Sequence, residues 1–449
     1  MSLWTAGEIA SATGGKLVGS ADRAVDGVSI DTRTIAKNDL FIALRGPNHD
    51  AHDFADKAVE AGASVLLVDR ELSTSATQVI VPDTTTAMES LGTARRAEMS
   101  GFVLGITGSV GKTGTKELAA AGFRDLGKTH ATQGNLNNHF GVPLTLARMP
   151  RDTEFAVIEM GMSAPGEIRA LTKQVQPHAA LITWISAAHS AFFDSTEQIA
   201  RAKAEIFEGL SADGLAIVPE DNEHTTLLRD LAKGHLVRSF GYQPGADVRV
   251  VATHVTETRF GYFVDGLPLE LSLAGEQWGG SAAGLLAALP AGLDRQRFLA
   301  GMSRVEPLKG RGKRFEIAAV GGGTAILIDE SYNASPAAVE AALKLLVATP
   351  TQGRRIALLG DMLELDHPEQ EHEAIGRLIA DLPIDSVHVS GSFGEHTLKS
   401  VNSRQRGLSA PEPQSLYTEL AQSVHAGDIW LVKGSLGSKV HTIVDTLVS

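Results

Sequence analysis

The sequence predicts an α/β fold in three domains, and three observations support this prediction. The chain has 449 residues, a length that suggests about three domains. Short apolar runs alternate with helical patterns along most of the chain, which is typical of parallel sheets with helical crossovers. One of these runs ends in a glycine-rich turn at residues 107–113, followed by a helical pattern, as in a phosphate-binding loop (P-loop).

Residues 1–98 are predicted to form a small mixed α/β domain. The segment opens with Thr5-Ala6-Gly7-Glu8, whose capping-box spacing predicts the start of a short helix. A second helix is predicted over residues 51–61, ended by Gly62, and the apolar run at residues 65–68 predicts a buried strand.

Residues 99–312 are predicted to form a central P-loop domain built on a doubly wound parallel sheet. Strands are predicted at residues 102–107, 155–160, 179–185 and 215–218, with a helix over residues 116–123. The basic, glycine-containing stretch at residues 309–314 is interpreted as a linker to the next domain.

Residues 313–449 repeat the strand–helix alternation and are predicted to form a C-terminal Rossmann-like domain. The apolar runs that predict its strands lie at residues 325–329, 355–360, 387–390 and 429–433.

Composition excludes several classes of function. Lys and Arg number 40 against 53 Asp and Glu, a net charge of −13, which argues against nucleic acid as the main partner. The absence of cysteine excludes disulfides, zinc–thiolate sites and thiol nucleophiles. Neither a signal-peptide pattern nor an apolar run of membrane-spanning length is visible, so we expect a cytoplasmic protein without membrane insertion.

The P-loop is the strongest single indication of function. Glycines let backbone N–H groups surround phosphates, and the following helix N-terminus adds positive potential. Lys112 is expected to reach the β- and γ-phosphates of a nucleotide, and the Thr113 hydroxyl to bind Mg²⁺. The spacing departs from the standard pattern, because Ile106 stands where its first glycine would fall. An ordinary glycine turn is the alternative, but the strand–turn–helix context favours nucleotide binding.

Glu159 lies at the end of a second predicted strand and His189 follows a third, at the same edge of the sheet as Lys112. The carboxyl ends of parallel strands line the ligand crevice, and Mg²⁺ prefers oxygen ligands, so a carboxylate here suits a metal site. The alternatives are a solvated glutamate at a strand end and a structural loop histidine.

Lys203 lies on a predicted helix that starts at Ser195-Thr196-Glu197-Gln198. It shares the apolar face of that helix with Ile199, Ile206 and Phe207. A lysine on such a face must extend its ammonium to the surface or find a partner. In the structural interpretation, the aliphatic part of Lys203 packs on the apolar face and its ammonium reaches the solvent. In the functional interpretation, the lysine is modified or paired beside the metal site.

Polar residues also follow three predicted strands of the third segment, at residues 329–336, 360–365 and 433–435. Asp, Tyr and Asn at strand ends suit contacts with a nucleotide or a peptide, although Ser-Pro and Asn are equally common in capped turns.

The order of these motifs resembles the Mur ligase family of ATP-dependent, amide-forming ligases over essentially the whole chain. Three segments resemble those of the members that add D-alanyl-D-alanine to a UDP-N-acetylmuramoyl-tripeptide: the Asn-rich stretch at residues 134–138 and the segments at 332–334 and 360–362. The motifs concerned are at residues 31–33, 39–46, 107–113, 134–138, 141–143, 159–161, 188–189, 203–205, 329–336, 359–365 and 433–435.

The resemblance implies a role for each domain: the first binds the UDP-muramoyl substrate, the second binds ATP, and the third completes the site. It also implies a place in peptidoglycan synthesis, and hence in cell wall biogenesis, cell shape and cell division, for what we expect to be a monomer. The implied catalytic residues are Lys112, His189 and Lys203. The implied ATP contacts are Gly108, Ser109, Val110, Gly111, Lys112, Thr113, Arg311, Asn333 and Asp361. The implied substrate contacts are Thr32, Arg33, Phe41, Gly46, Asn135, Asn137, Asn138, Tyr332 and Ser335.

The same resemblance implies two Mg²⁺ ions and a modified lysine. Thr113 and Glu159 would hold one ion, and His189 would hold the second together with Lys203. CO₂ would carbamylate Lys203, which converts its cation into a carboxylate-like ligand.

The chain departs from the family pattern at three places. Residues 275–281 replace a His-Asn-x-x-Asn-like stretch that contacts adenine, Leu436 stands in place of an arginine, and Ala51 in place of a glycine. The alternatives are a sister Mur ligase, a ligase like folylpolyglutamate synthetase, or a nucleotide-binding scaffold without turnover.

Overall fold

A computed structural model describes residues 2–46, 49–186, 193–255, 259–273 and 275–448. Each predicted segment contains one main sheet, so the three-part α/β architecture is confirmed. The exact boundaries at 98/99 and 312/313 stay predictions. Within the described ranges, no helix is both long enough and apolar enough to cross a membrane.

The first domain has a five-stranded sheet of order β2-β7-β6-β5-β4, parallel except for the β2–β7 pair. Thr5 and Glu8 form the expected capping box, with Thr5 N–H donating to Glu8 Oε2 at 2.8 Å. The predicted helix at 51–61 is a 3₁₀ turn, Ala51–Phe54, followed by an α-helix. The elements are β1 (Trp4–Thr5), α1 (Ala6–Thr13), β2 (Lys16–Val18), β3 (Ala24–Val25), β4 (Gly27–Ser29), β5 (Asp39–Ile42), α2 (Ala55–Ala61), β6 (Val65–Val68), β7 (Thr77–Ile80) and α3 (Thr84–Glu98).

The central domain has a nine-stranded sheet of order β16-β15-β14-β13-β12-β11-β8-β10-β9. The strands from β9 to β14 in this order pair in parallel, as predicted, while β14, β15 and β16 add antiparallel pairs that were not predicted. The strands are β8 (Phe102–Thr107), β9 (Thr129–Ala131), β10 (Phe155–Glu159), β11 (Ala179–Ile182), β12 (Leu215–Pro219), β13 (Leu236–Gly241), β14 (Val248–Val255), β15 (Phe260–Val264) and β16 (Leu267–Leu271).

Helices cover both faces of this sheet, and two separate apolar clusters fill the space beneath them. The helices are α4 (Lys112–Arg124), α5 (Gly141–Ala147), α6 (Glu167–Val175), α7 (Thr196–Ala204), α8 (Thr225–Leu231), α9 (Glu276–Ala288) and α10 (Arg295–Met302), with a 3₁₀ turn at Glu205–Gly209 after α7. Helix α4 begins four residues before the predicted start, directly after the P-loop.

The third domain has a six-stranded sheet of order β17-β18-β22-β19-β20-β21, parallel except for the β17–β18 pair. Lys313 and Arg314 belong to β17, so the predicted linker at residues 309–314 is wrong for its last two residues. The elements are β17 (Lys313–Ala318), β18 (Thr324–Glu330), α11 (Pro336–Ala348), β19 (Arg355–Gly360), α12 (Pro368–Ala380), β20 (Ser386–Ser390), α13 (Gly394–Ser400), β21 (Arg406–Ala410), α14 (Tyr417–Ser423), β22 (Ile429–Lys433) and α15 (His441–Val448).

The first domain is attached to the central one through α3 and the N-terminal strand. Trp4 Nε1 donates to Ala147 O at 2.9 Å. The buried Arg96 donates from Nε to Val175 O and from Nη2 to Gln176 O, both at 2.7 Å, and so caps the C-terminus of α6. These bonds fix the first domain beside the sheet that bears the P-loop.

Candidate active site

The P-loop connects β8 to α4, and two of its glycines are required by the backbone. Gly108 and Gly111 have φ of +153° and +87°, a region that other residues rarely adopt. A Cβ on Gly108 would also collide with Thr183 Oγ1. The loop therefore passes close to the end of β11, where the Ser109 N–H donates to Trp184 O at 2.7 Å. Successive backbone N–H groups in such a turn can form a concave site for an anion.

Lys112 begins α4, and its Nζ donates to Gly108 O at 2.7 Å. Burial lowers the pKa of Lys112, Glu159 raises it in part, and Arg311 lowers it again. Arg311 also lies over the Tyr332 ring, 4.1 Å from its centroid. The structure thus places Arg311, which lies beside the third domain, near enough to the P-loop lysine for its charge to act on it.

Glu159 ends β10 and is completely buried. Its Oε1 accepts hydrogen bonds from Thr113 Oγ1 at 3.2 Å and from Asn137 Nδ2 at 2.7 Å. Its Oε2 is buried and has no hydrogen-bond partner among the described residues. The alternative of a solvated strand-end glutamate is therefore wrong, and Thr113 and Glu159 lie together as predicted.

This pair fits a hard divalent cation. A buried carboxylate oxygen without a donor, next to a hydroxyl, offers the oxygen ligands that Mg²⁺ prefers, and Mg²⁺ often takes its remaining ligands from substrate phosphates and water. Within the described ranges, no three His, Asp or Glu side chains form a cluster of metal ligands. His189, the predicted ligand of a second ion, lies outside the described residues, as does Ala188.

Lys203 lies near the end of α7, which Ser195 caps by accepting the Gln198 N–H at 3.3 Å. The side chain is 1% exposed, so the alternative of a stem that extends its ammonium to the surface is wrong. Burial lowers the pKa of Lys203 well below its usual value, and the charge of Lys112 lowers it further. Its ammonium makes no hydrogen bond to the described part of the chain. A buried amine with a lowered pKa is the form that can react with CO₂.

The predicted ATP contacts of the third domain are engaged in local hydrogen bonds. Asn333 Oδ1 accepts the Ala334 N–H at 2.9 Å, and Asn333 O accepts Lys433 Nζ at 2.9 Å. The carboxylate of Asp361 accepts the N–H groups of Ser392 and Phe393 at 2.8 and 3.0 Å. Their roles toward ATP stay predictions, as does the substrate role of Ser335, which precedes α11 without a side-chain cap.

Among the predicted substrate contacts of the first domain, Thr32 and Arg33 lie in a 3₁₀ turn, and the exposed Arg33 pairs with Asp31 at 2.6 Å. Gly46 donates its N–H to His49 O at 2.8 Å. Phe41 is 1% exposed and packs in the core beneath the sheet. Its side chain is therefore a packing residue in this structure, and nothing in its surroundings supports the predicted contact with substrate.

The three asparagines of the Asn-rich stretch lie in three different environments. Asn135 is exposed in a turn, where it can meet a ligand. Asn138 Oδ1 accepts the Gly141 N–H at 2.9 Å and so caps the start of α5. Asn137 instead donates to Glu159, although all three asparagines were predicted to contact substrate.

Two further residues beside the P-loop were not identified from the sequence. Lys116 is fully buried, donates to Gly134 O at 3.2 Å and pairs with Glu117 at 2.7 Å. Trp278, in the stretch that departs from the family pattern, packs on α4 so closely that a Cβ on Gly114 would collide with its ring. The spacing of Lys116, one helical turn after Lys112, was the only signal that could have indicated its position.

Family models match nearly the whole chain. Residues 24–99 match "Mur ligase family, catalytic domain", residues 106–289 match "Mur ligase middle domain", and residues 313–436 match "Mur ligase, glutamate ligase domain".

Two curated relatives are similar to this chain over more than nine-tenths of their length. The UDP-N-acetylmuramoyl-tripeptide–D-alanyl-D-alanine ligase of Bacillus subtilis is 34% identical, over 94% of this chain and 93% of the relative. The protein of the same name from Escherichia coli is 33% identical, over 99% of this chain and 98% of the relative.

Solved structures of MurF are also similar to this chain over nearly its whole length. MurF from Acinetobacter baumannii has a TM-score of 0.87 at 30% identity, over 99% of this chain and 98% of that one. MurF from Thermotoga maritima in complex with ADP has a TM-score of 0.79 at 25% identity, over 94% of this chain and 96% of that one. FolC from E. coli, at 20% identity, 81% and 93% coverage and a TM-score of 0.58, shares the fold alone.

Proposed function

Because the chain belongs to the Mur ligase family, we infer that it is an ATP-dependent ligase that joins D-alanyl-D-alanine to a UDP-N-acetylmuramoyl-tripeptide, a step of peptidoglycan precursor synthesis. The observation that supports this best is the convergence of Lys112, Thr113 and Glu159 in a chain that resembles such ligases from end to end. The folylpolyglutamate synthetase alternative is not favoured, because that likeness is one of fold alone.

The proposed reaction has two steps. A terminal carboxylate oxygen of the tripeptide attacks the γ-phosphorus of ATP, the bond to the β-phosphate oxygen breaks, and ADP leaves, which gives an acyl phosphate. The amine of D-alanyl-D-alanine then attacks the acyl carbon, the carbon–oxygen bond to phosphate breaks, and the nitrogen loses a proton to solvent. The products are the amide, ADP and inorganic phosphate.

The protein's part in this reaction is positioning and charge neutralisation. The N–H groups of Val110 and Gly111 and the N-terminus of α4 would bind the phosphates. Lys112 would exchange its present bond to Gly108 O for a phosphate oxygen, and its charge would stabilise the transferring group. Arg311, which already lies near Lys112, would approach the same phosphates from the other side.

Thr113 and Glu159 would hold a Mg²⁺ ion, which supplies charge stabilisation to the phosphoryl group when it is bound. We also propose that Lys203 is carbamylated and contributes to a second metal site with His189. The low exposure of Lys203 and its lowered pKa support this assignment. Closure of the third domain over the central one would bring both substrates together, and we propose that the protein acts as a monomer.

The test is ligation with purified protein, detected by mass spectrometry. UDP-N-acetylmuramoyl-tripeptides that carry meso-diaminopimelate or lysine are each mixed with ATP, Mg²⁺ and D-alanyl-D-alanine, and single amino acids serve as competing amines. We expect a product with D-alanyl-D-alanine added, and loss of that product in Lys112→Ala. Activity equal to wild type in Lys112→Ala, or addition of a single amino acid instead, would contradict the proposal.

A further inference from the structure

We propose that Asn137 is a positioning residue for the metal site: it holds Oε1 of Glu159 so that Oε2 remains free to bind the cation. This inference rests on the proposed function, since it assumes that Thr113 and Glu159 hold Mg²⁺. It assigns to Asn137 a role different from the substrate contact that the sequence predicted.

The side-chain hydrogen bonds of Glu159 all fall on one of its two carboxylate oxygens. Oε1 accepts two hydrogen bonds, from Asn137 Nδ2 at 2.7 Å and from Thr113 Oγ1 at 3.2 Å. Oε2 is also buried and accepts no hydrogen bond from the described residues. A buried acceptor without a donor is unfavourable, so such an arrangement persists where another group completes it. The bond from Asn137 is the shorter of the two and fixes the rotation of the carboxylate.

Asn137 cannot move away from Glu159 independently. Its carbonyl accepts the Gly161 N–H at 2.8 Å, so its backbone is bound to the segment that directly follows β10. Its side chain packs on Gly161, where a Cβ would lie 2.9 Å from Asn137 Oδ1. A larger residue at 161 would therefore displace the amide from Glu159.

The turn that bears Asn137 is fixed at both of its ends. Before it, the buried Lys116 donates to Gly134 O at 3.2 Å, and after it Asn138 caps α5. Because Lys116 lies on α4, four residues after Lys112, the turn is attached to the P-loop helix as well as to β10. Asn137 therefore joins the Asn-rich stretch to the metal carboxylate through a rigid connection, as groups do that orient a metal ligand.

The test is the Mg²⁺ dependence of nucleotide binding, without turnover. Calorimetry measures the affinity for the non-hydrolysable analogue AMP-PNP twice, in excess Mg²⁺ and in EDTA. The ratio of the two affinities reports the metal site, while the value in EDTA reports the P-loop and the integrity of the fold. The variants are Asn137→Leu, which keeps bulk and removes the donor, Glu159→Ala, and the double variant, with Gln133→Ala, an exposed position in the same loop, as control.

We expect Asn137→Leu to lower the ratio by about 10- to 100-fold, the range for groups that orient metal ligands, and to leave the affinity in EDTA unchanged. The double variant should fall no further than Glu159→Ala alone, and Gln133→Ala should match the wild type. An unchanged ratio in Asn137→Leu, or an equal loss in EDTA, would overturn this inference alone. A wild-type protein without affinity for AMP-PNP in either condition would overturn the proposed function itself.

Discussion

Replacing Lys203 with methionine should make the protein more stable and inactive at once. The lysine is 1% exposed, makes no hydrogen bond to the described residues, and its pKa is lowered by burial and by Lys112. Folding therefore places an amine where it is poorly solvated. Methionine has similar length and bulk but no amine, so the substitution removes that penalty while the apolar contacts of the stem remain.

The size of the effect follows from the burial. A polar group that folding removes from water is unfavourable by about 1–3 kcal/mol when hydrogen bonds do not compensate it. In a domain of about 150–250 residues, a change of about 1 kcal/mol in the free energy of unfolding shifts Tm by about 2–4 °C. We therefore expect Lys203→Met to raise the melting temperature by roughly 2–12 °C in bicarbonate-free buffer, where the amine is unmodified, and to reduce ligation by at least about 100-fold, because the proposed carbamate cannot form.

Lys116→Met is the matched control. Lys116 is also buried, but it donates to Gly134 O and pairs with Glu117, so its removal breaks bonds and should lower Tm by several degrees. Scanning calorimetry of wild type and both variants compares the two lysines directly. A fall in Tm for Lys203→Met as large as that for Lys116→Met would refute the reasoning, because it would mean that the Lys203 amine is well satisfied in the folded protein.

Three further predictions concern the fold around the site. Gly114→Ala should destabilise the protein by about 1–3 kcal/mol, because its Cβ collides with the Trp278 ring, and adding Trp278→Ala should relieve part of the loss in thermal unfolding. Arg96→Met should lower the free energy of unfolding in urea by about 3 kcal/mol, because two charge-assisted bonds to the end of α6 are lost. Burial and Arg354 lower the pKa of His388 to about 4, so the unfolded chain binds its proton first as pH falls from 6.5, and stability should drop by about 2 kcal/mol between pH 7 and 5. That pH-dependent loss, measured by urea unfolding at both pH values, should shrink in His388→Gln.

The sequence could predict the features that depend on strong local patterns. Buried parallel strands are continuous apolar runs, so β8, β10 and β19 were located within a residue or two. The i−4, i+3 and i+4 spacing of Lys203 predicted its place on an apolar face, and the position of Glu159 at a strand end predicted its proximity to Thr113.

The features that the sequence could not predict depend on contacts between distant segments. Strands β14, β15 and β16 form an antiparallel extension that no single long apolar run marks, and only β16 alternates less buried with buried side chains. The N-terminal residues of β17 are basic and follow glycines, so only pairing with β18 makes them a strand. The bond from Asn137 to Glu159 depends on the path of the loop, which the order of residues does not specify.

We propose above that a nucleotide held by the P-loop transfers its γ-phosphoryl group to the carboxylate of the peptide substrate. Labelling both oxygens of that carboxylate with ¹⁸O and analysing the phosphate released during ligation follows this transfer atom by atom. We predict that each phosphate contains one ¹⁸O atom, because the carboxylate oxygen that attacks phosphorus departs with it when the amide forms. Release of unlabelled phosphate in step with amide formation would contradict the claim.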